Sequence, residues 1–478
     1  MDLGAGPSAH EMSEAMAQAR PATLRAWLDR LAAQGRLAVI RPDRSLQFEL
    51  AAIAARLDGE RATFFPSPGG HTIPVVSGIV SQRAWIADAM GVTQERMLKR
   101  FQEAVQQPLP CEEIAPAPVQ EVKHRGPLDL AALLPAPVHN EHDGGAYITG
   151  GLLISSNPRT GRQNVSMNRC QLKGGNRLGV SVSSRDTGAF LAAAEAAHQP
   201  LPIAIAIGVD PLTLIASQAL VAMDQDELEV AGALHGKPLR VMKCLTNDLR
   251  VPADAEIVLE GRILPHVREP EGPFGEFTQY YGPRGDRFVI EIDALTHREK
   301  PIFHTIIGGG TEHILLGAVV REASFLTTMQ RIFPNVTNVH LPRGGVGRYH
   351  LYVQMKKTHE GSAKNVIFSA FAMHHDVKQV IVVDEDIDIY DPQEVEWAVA
   401  TRFQADRDLV VVSNCRASKL DPTSRSGIGA KLGLDATKPL DADPAHFTRI
   451  GVPGKNAVDV TAVTADIAPQ DWRTALSK

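Results

Sequence analysis

Two acids flank a tight turn in Glu271-Gly272-Pro273-Phe274-Gly275-Glu276. Paired carboxylates held in one site split their proton affinities, which leaves one of them able to donate a proton near neutrality. Taken alone, the hexapeptide reads first as a surface turn with two solvated acids. Upstream, Asn164-Val165-Ser166-Met167-Asn168-Arg169 supplies a cation on an expected strand. An arginine in such an apolar β segment is commonly a paired structural charge. It is equally the group that orients a substrate carboxylate, because a planar guanidinium matches a carboxylate with two parallel hydrogen bonds. Asn164 and Arg169 are an odd number of positions apart, so a regular strand sends them to opposite faces unless a bulge intervenes. A third acidic stretch, Asp226-Glu227-Leu228-Glu229-Val230-Ala231-Gly232, opens an apolar run, where acids ordinarily sit at a helix N-terminus or in solvent.

Several familiar signatures are absent. Gly308-Gly309-Gly310 and Gly344-Gly345-Val346-Gly347 lack the GxGxxG order of a dinucleotide loop, and Gly427-Ile428-Gly429-Ala430-Lys431 is not a Walker loop. No GxSxG or HExxH occurs, and His139-Asn140-Glu141-His142 reads as a polar loop rather than a metal site. The four cysteines, Cys111, Cys170, Cys244 and Cys415, form no CxxC pair, which points to a reduced cytoplasmic protein without a cysteine zinc site. A net charge of −6 argues against broad nucleic-acid binding. No apolar run reaches the roughly 18 residues of a membrane span. The first twenty residues carry no apolar signal core and read as a frayed tail.

The elements that must position these groups fall into three regions. Thr23–Gly35 reads as an amphipathic helix, with Leu24, Trp27, Leu28 and Leu31 on one face and Gly35 as its stop. Gln47–Leu57 repeats the pattern, and Thr72–Val80 reads as a strand. Pro108, Pro110, Pro116 and Pro118 then form a semi-extended connector. From about Glu121 to Gly310 come short β segments broken by turns: Ile148–Ser155, Asn164–Lys173, Leu178–Ser183, Ile203–Gly208, Leu239–Cys244, Ala255–Glu260 and Arg287–Leu295. A barrel or curved sheet suits them, with Thr187–Ala197 as a helix fed by a strand. Val377–Asp384, Glu394–Phe403 and Leu409–Ser413 read as a βαβ unit in a covered, largely parallel sheet.

In order and spacing these segments resemble the UbiD family of prenylated-flavin (de)carboxylases. The resemblance runs over about residues 120–440 and more faintly into the N-terminal region. It is carried by NVSMNR (164–169), DELEVAGALHGKPLRVMKC (226–244), VPADAEIVLEG (251–261) and EGPFGEFTQYYG (271–282). ALTHREKPIF (294–303), VKQVIVVDEDIDIYD (377–391), ATRFQADRD (400–408) and AKLGLDAT (430–437) extend it. The resemblance implies a multidomain α/β fold: an N-terminal α/β region (1–120), a central split-barrel flavin-binding domain (121–320) and a C-terminal α/β domain (321–478) that builds a homodimer or hexamer.

It further implies non-oxidative decarboxylation of an aromatic, heteroaromatic or α,β-unsaturated acid, with release of CO2. Arg169, Glu271 and Glu276 match the family's catalytic set: Arg169 pairs with Glu271 and receives the substrate carboxylate, and Glu276 protonates the carbon. No side chain supplies the electron sink the reaction needs, and prenylated FMN, delivered by a flavin prenyltransferase, would do so. Asn164 and Glu227 match two of the three usual ligands of a divalent metal such as Mn2+. Ser217 and Gln218 fall where the family touches the flavin and its K+ site, Ser184 is a further cofactor contact, and Lys378 matches a lysine near the phosphate, against the equal alternative of a solvated lysine at a strand start. Arg185 stands where a histidine ligand is expected. An arginine cannot ligate a cation, so either Asp186 or water completes the metal, or Arg185 meets the phosphate directly. His297, Arg298 and Arg343 are candidates for a second substrate carboxylate, against structural roles in loops. The competing function is a flavin-binding or assembly protein without turnover.

Overall fold

The amphipathic helix expected at the start of the chain runs Leu24–Ala33 and buries Leu24, Trp27, Leu28 and Leu31. Thr23 caps it, its hydroxyl oxygen accepting the Ala26 N–H. The Trp27 indole N–H reaches Ile79 O at 2.8 Å, so one side chain supplies both apolar bulk and a satisfied donor. A second helix, Glu49–Arg56, and a strand, Val75–Ser77, follow where the patterns place them. The computed structural model describes residues 20–182, 185–223, 225–464 and 473; the expected N-terminal tail and Ser184 lie outside these.

A nine-stranded sheet, antiparallel at every pairing, dominates the middle of the chain and curls into a half-barrel. Alternate residues of Leu201–Ile207 face two different cores. Ile203, Ile205 and Ile207 pack with Leu153 and Leu259, whereas Ala204 and Ala206 pack with Leu152, Ile154 and Val258. Burial on both faces is why this strand is apolar throughout rather than alternating.

The curl depends on one split hairpin. Gly151–Ser156 pairs with Gln163–Met167, while Tyr147–Ile148 pairs with Cys170–Gly174. The first pair extends the sheet beside Leu201–Ile207, and the second lies beside Arg177–Val180 near the opposite end. Between the halves, Asn168 and Arg169 fall outside the ladder. The single strand expected over Asn164–Lys173 is therefore two strands with a break, and the alternation argument that put Asn164 and Arg169 on opposite faces does not apply across it.

The C-terminal sheet runs Val336–His340, His350–Met355, Gln379–Asp384, Ile428–Ala436, Leu409–Arg416. Gln379–Asp384 is parallel to both its neighbours, as a covered apolar strand should be. The expected βαβ unit needs correcting. After the helix Pro392–Arg402, the strand Leu409–Arg416 does not return beside Gln379–Asp384. Ile428–Ala436 takes that place, and Leu409–Arg416 pairs antiparallel on the outer edge with Leu409 and Val411 exposed. An apolar run with one open face cannot be told from a central strand by composition alone.

The long helix Thr311–Ile332 joins the regions. Its Glu322 is fully buried and receives Arg83 from the N-terminal helix Arg83–Met90. The same carboxylate receives the Leu341 N–H and meets His340 Nδ1. These residues belong to one compact unit ending at Thr437. A separate short unit begins at Lys438 and contains the turns Pro444–Phe447 and Lys455–Ala457 and the helix Val460–Val463, the last capped by Asp459. Among the described residues no helix is long and apolar enough to cross a membrane.

Candidate active site

Arg169 enters the site from the break in the hairpin, where no ladder partner competes for its position. The strand Ile257–Glu271 delivers Glu271 at its last residue. The chain then reverses at Gly272, whose φ of +90° suits glycine and strains other residues, and pairs Phe274–Gly275 with Tyr281–Gly282. That turn holds Glu276, with its N–H on Tyr280 O and its carbonyl accepting from Gln279.

The three side chains converge. Arg169 Nε donates to Glu271 Oε1 at 3.1 Å and Nη2 to Oε2 at 3.4 Å, a side-on fork, while Nη1 donates to Glu276 Oε1. Both acids are nearly inaccessible, Glu271 at 1% and Glu276 at 6%. Burial alone would weaken the hold of Arg169 on its proton. Glu276 and Glu271 reverse this, so its proton affinity lies above the ordinary range. The Phe274 ring lies 5.1 Å from the guanidinium carbon. Tyr147, raised by burial and by Glu271, remains a neutral phenol against the same carboxylate. The expectation of a surface turn with two solvated acids fails, because the hairpin break brings a cation to both.

Arg169, Glu276 and Gln218 share a cavity of about 350 Å³ with Asn168, Phe277, Ile306 and Leu316. Ser217 is buried beside it, its hydroxyl donating to Leu214 O at 2.7 Å and accepting from Gln218 Nε2 at 3.1 Å.

A second group of oxygen ligands is buried nearby on the chain. Asn164 Nδ2 donates to Thr187 Oγ1 at 3.0 Å, and Glu227 Oε2 accepts the Val165 N–H at 2.7 Å. Asp226 caps the helix Glu227–His235, and burial raises it to about 6. Burial pushes Glu227 up to about 8, with Asp226 and Asp186 adding repulsion. A carboxylate so destabilised, between an amide and a second acid, suits a hard cation. Arg185 does not point into this group: it forks onto Asp186 at 2.8 and 3.2 Å, donates to Val221 O at 2.8 Å, and is otherwise 67% exposed.

Lys378 is not brought to the Arg169 cavity. It donates to Asp421 Oδ2 at 2.9 Å and Thr423 Oγ1 at 2.8 Å, lining a separate cavity of about 220 Å³. The two cavities lie on either side of one loop, since Ser418 and Asp421 line the smaller while Lys419 and Leu420 line the larger. The proposed readers of a second carboxylate are engaged elsewhere. His297 meets His124 and Arg298 O, Arg298 lies 3.9 Å from Asp254 and from Glu256, and Arg343 binds Asp58 at the edge of another cavity.

Three family models match in succession: the 3-octaprenyl-4-hydroxybenzoate carboxy-lyase N-terminal domain over residues 28–105, its Rift-related domain over 112–311 and its C-terminal domain over 314–436. The chain belongs to the UbiD family. Among solved structures it is similar to the UbiD-class enzyme HmfF from Pelotomaculum thermopropionicum in complex with FMN, at 46% identity, 92% of this chain, all of that chain and a TM-score of 0.91. An evolved dimeric form of HmfF in complex with prFMN is 44% identical, over 93% and 100% of the two chains, with a TM-score of 0.87. The anhydromevalonate phosphate decarboxylase of Methanothermobacter thermautotrophicus is 37% identical over 89% of this chain and 99% of its own. A UbiD chain of this kind is a carboxy-lyase.

Sequence reasoning passed over two residues of this UbiD cavity and a third packed beside them. Arg348 and His313 line it, and Arg321 lies against Arg348. One signal was available: His313, Gly317 and Arg321 repeat every four residues, which is one face of a helix. The glycine loop dismissed as a nucleotide motif delivers Arg348. Gly347 has φ +64°, and a methyl there would lie 2.7 Å from Ile314 Cγ2 on that helix.

Proposed function

We propose that this protein decarboxylates, reversibly, an aromatic, heteroaromatic or α,β-unsaturated carboxylic acid with the help of a prenylated FMN. The observation that carries the reading is a single guanidinium shared by two buried carboxylates at the wall of a cavity of substrate size. Glu271 occupies the Nε edge of Arg169 and fixes its orientation, so Nη1 is the edge open to a substrate. Glu276 rests on that edge. A substrate carboxylate competing for Nη1 displaces Glu276 and sets a negative charge beside it. Like charges in proximity raise proton affinity, which readies Glu276 to deliver a proton to the carbon that loses CO2.

The bound cofactor would supply the electron sink. Gln218 and Ser217 would contact it from the cavity side, with Ser184 a further expected contact. Asn164 and Glu227 would hold a divalent cation such as Mn2+ at its phosphate, with K+ as a second ion. Of the two roles weighed for Arg185, its fork onto Asp186 favours indirect support, with Asp186 completing the oxygen donors. Lys378 would serve a phosphate only by leaving Asp421. The three-part division 1–120, 121–320 and 321–478 belongs to this proposal, as do cytoplasmic residence and a homodimer or hexamer.

The test is co-expression with a flavin prenyltransferase, followed by CO2 release from a panel of aromatic and acrylic acids. Turnover by the wild type and its loss in Glu276→Gln, with flavin retained, is the expected result. Bound modified flavin with no CO2 from any acid would leave the binding or assembly reading standing.

A further inference from the structure

The polar loop His139-Asn140-Glu141-His142 contributes one side chain that is not at the surface. His139 is buried, and burial brings it down to about 4, so the ring is neutral at physiological pH. Its Nε2 lies 3.0 Å from Thr305 Oγ1, while its Nδ1 is buried without a partner among the described residues. An orphaned buried N–H is rarer than an orphaned lone pair, so the proton sits on Nε2 and donates to Thr305. Thr305 Oγ1 in turn lies 3.0 Å from Thr149 Oγ1, which also accepts the Ile306 N–H at 2.9 Å. Thr305 is fully buried. Were Thr149 to donate to it, the Thr305 hydrogen would be stranded, since His139 Nε2 has no lone pair to offer. Thr305 therefore donates to Thr149, and the Thr149 hydrogen is left for an acceptor outside the chain.

Thr149 lines the Arg169 cavity. Continuing the register of Tyr147↔Gln171 and Ile148↔Cys170 by one step sets it opposite Arg169, across the hairpin break. Ile148 and Cys170 pack into an apolar core, so Tyr147, Thr149, Arg169 and Gln171 take the other face. Tyr147 meets Glu271 there, and Gln171 accepts the Gly272 N–H at 3.3 Å. Gly150 lets the two threonines approach: a methyl on it would lie 2.6 Å from His304 O. Two incoming hydrogen bonds polarise the Thr149 hydroxyl toward donation, beside the guanidinium.

We propose that the Thr149 hydroxyl is a second donor to the substrate carboxylate, binding the oxygen that Arg169 leaves free. His139 and Thr305 are positioning residues that hold it in the donating sense. This rests on the reading of Arg169 as the receptor for that carboxylate. The competing acceptor is a ring atom of the bound flavin.

The test measures benzoate binding to the flavin-loaded enzyme by calorimetry, with flavin followed by absorbance. Thr149→Val weakens binding by roughly ten- to a hundredfold, the worth of a hydrogen bond to a charged group, and Thr149→Ser keeps it near wild type. His139→Leu lets Thr305 accept from Thr149, which turns the hydrogen away from the cavity and lowers affinity by roughly two- to tenfold. His139→Gln, whose amide N–H donates to Thr305, restores it. On a Thr149→Val background His139→Leu costs nothing further, because its effect runs through that hydroxyl. Where His139→Leu fails to fold, Thr305→Val carries the same cycle. Unchanged binding in Thr149→Val, or additive losses in the cycle, overturns the proposal. Loss of flavin from Thr149→Val, or a shifted flavin spectrum with benzoate affinity intact, also overturns it and gives the donor to the cofactor. Arg169→Met separates the underlying reading. Benzoate affinity unchanged there but lowered in Thr149→Val removes Arg169 as the receptor and keeps the Thr149 donor; the reverse pattern keeps Arg169 and removes Thr149.

Discussion

Glu276 and Glu271 make the same contact with Arg169 but hold different edges of it, and this difference predicts different mutant behaviour. Glu276→Gln removes a transferable proton while keeping the shape. Turnover should fall by roughly 10²–10⁴-fold with substrate affinity held near wild type, as general acid removal does. Single-turnover CO2 release alongside calorimetric binding separates the two. Glu271→Gln should instead weaken carboxylate binding, because the Nε fork that aims Arg169 loses its charge. Both acids were legible in the sequence as a spaced pair. Their link to Arg169 came only from the family resemblance and not from local pattern, because it depends on a break in a strand that local composition describes as continuous.

At the scale of elements, the helix Thr311–Ile332 carries His313 to the cavity and ties the chain regions together. Glu322 would be raised by burial, yet Arg83, then His340 and the Leu341 N–H, bring it down to about 2. A folded value below the unfolded one means the native state resists protonation. The stabilisation is present above the ordinary carboxylate range, near 4.5, and is lost as pH falls toward about 2. Glu322→Gln leaves Arg83 buried without its counter-charge and should cost about 3–5 kcal/mol in denaturant unfolding. The same variant should flatten the acid limb of the stability profile. The edge strand Leu409–Arg416 offers the opposite lesson: its apolar run suggested a central position, and pairing with Ile428–Ala436 put it outside.

For the whole molecule, the buried Glu227 beside Asn164 makes stability depend on pH, and under the proposed function on a divalent cation as well. Glu227 has its folded value raised to about 8, so without metal the native state binds the extra proton. Stability then declines as pH rises from about 4.5 toward about 8 and levels off above. A bound divalent ion replaces that proton, so Mn2+ should raise the melting temperature more at pH 8.5 than at pH 6, by the order of mass-action stabilisation. Thermal melts with Mn2+ and with a chelator at both pH values check this, and an equal shift at both would detach Glu227 from the metal. The sequence by itself determined most of the helix and strand content, because periodicity is a local property, and its resemblance to the family supplied the expectation that Arg169, Glu271 and Glu276 act together. Tertiary structure alone decided that the sheet curls until Arg169 meets both acids, that Lys378 faces a different cavity, and that Arg348, Arg321 and His313 meet at one corner. Those outcomes depend on long-range closure of the half-barrel and on helix Thr311–Ile332 crossing the site, and no local pattern records which distant side chains such packing brings together.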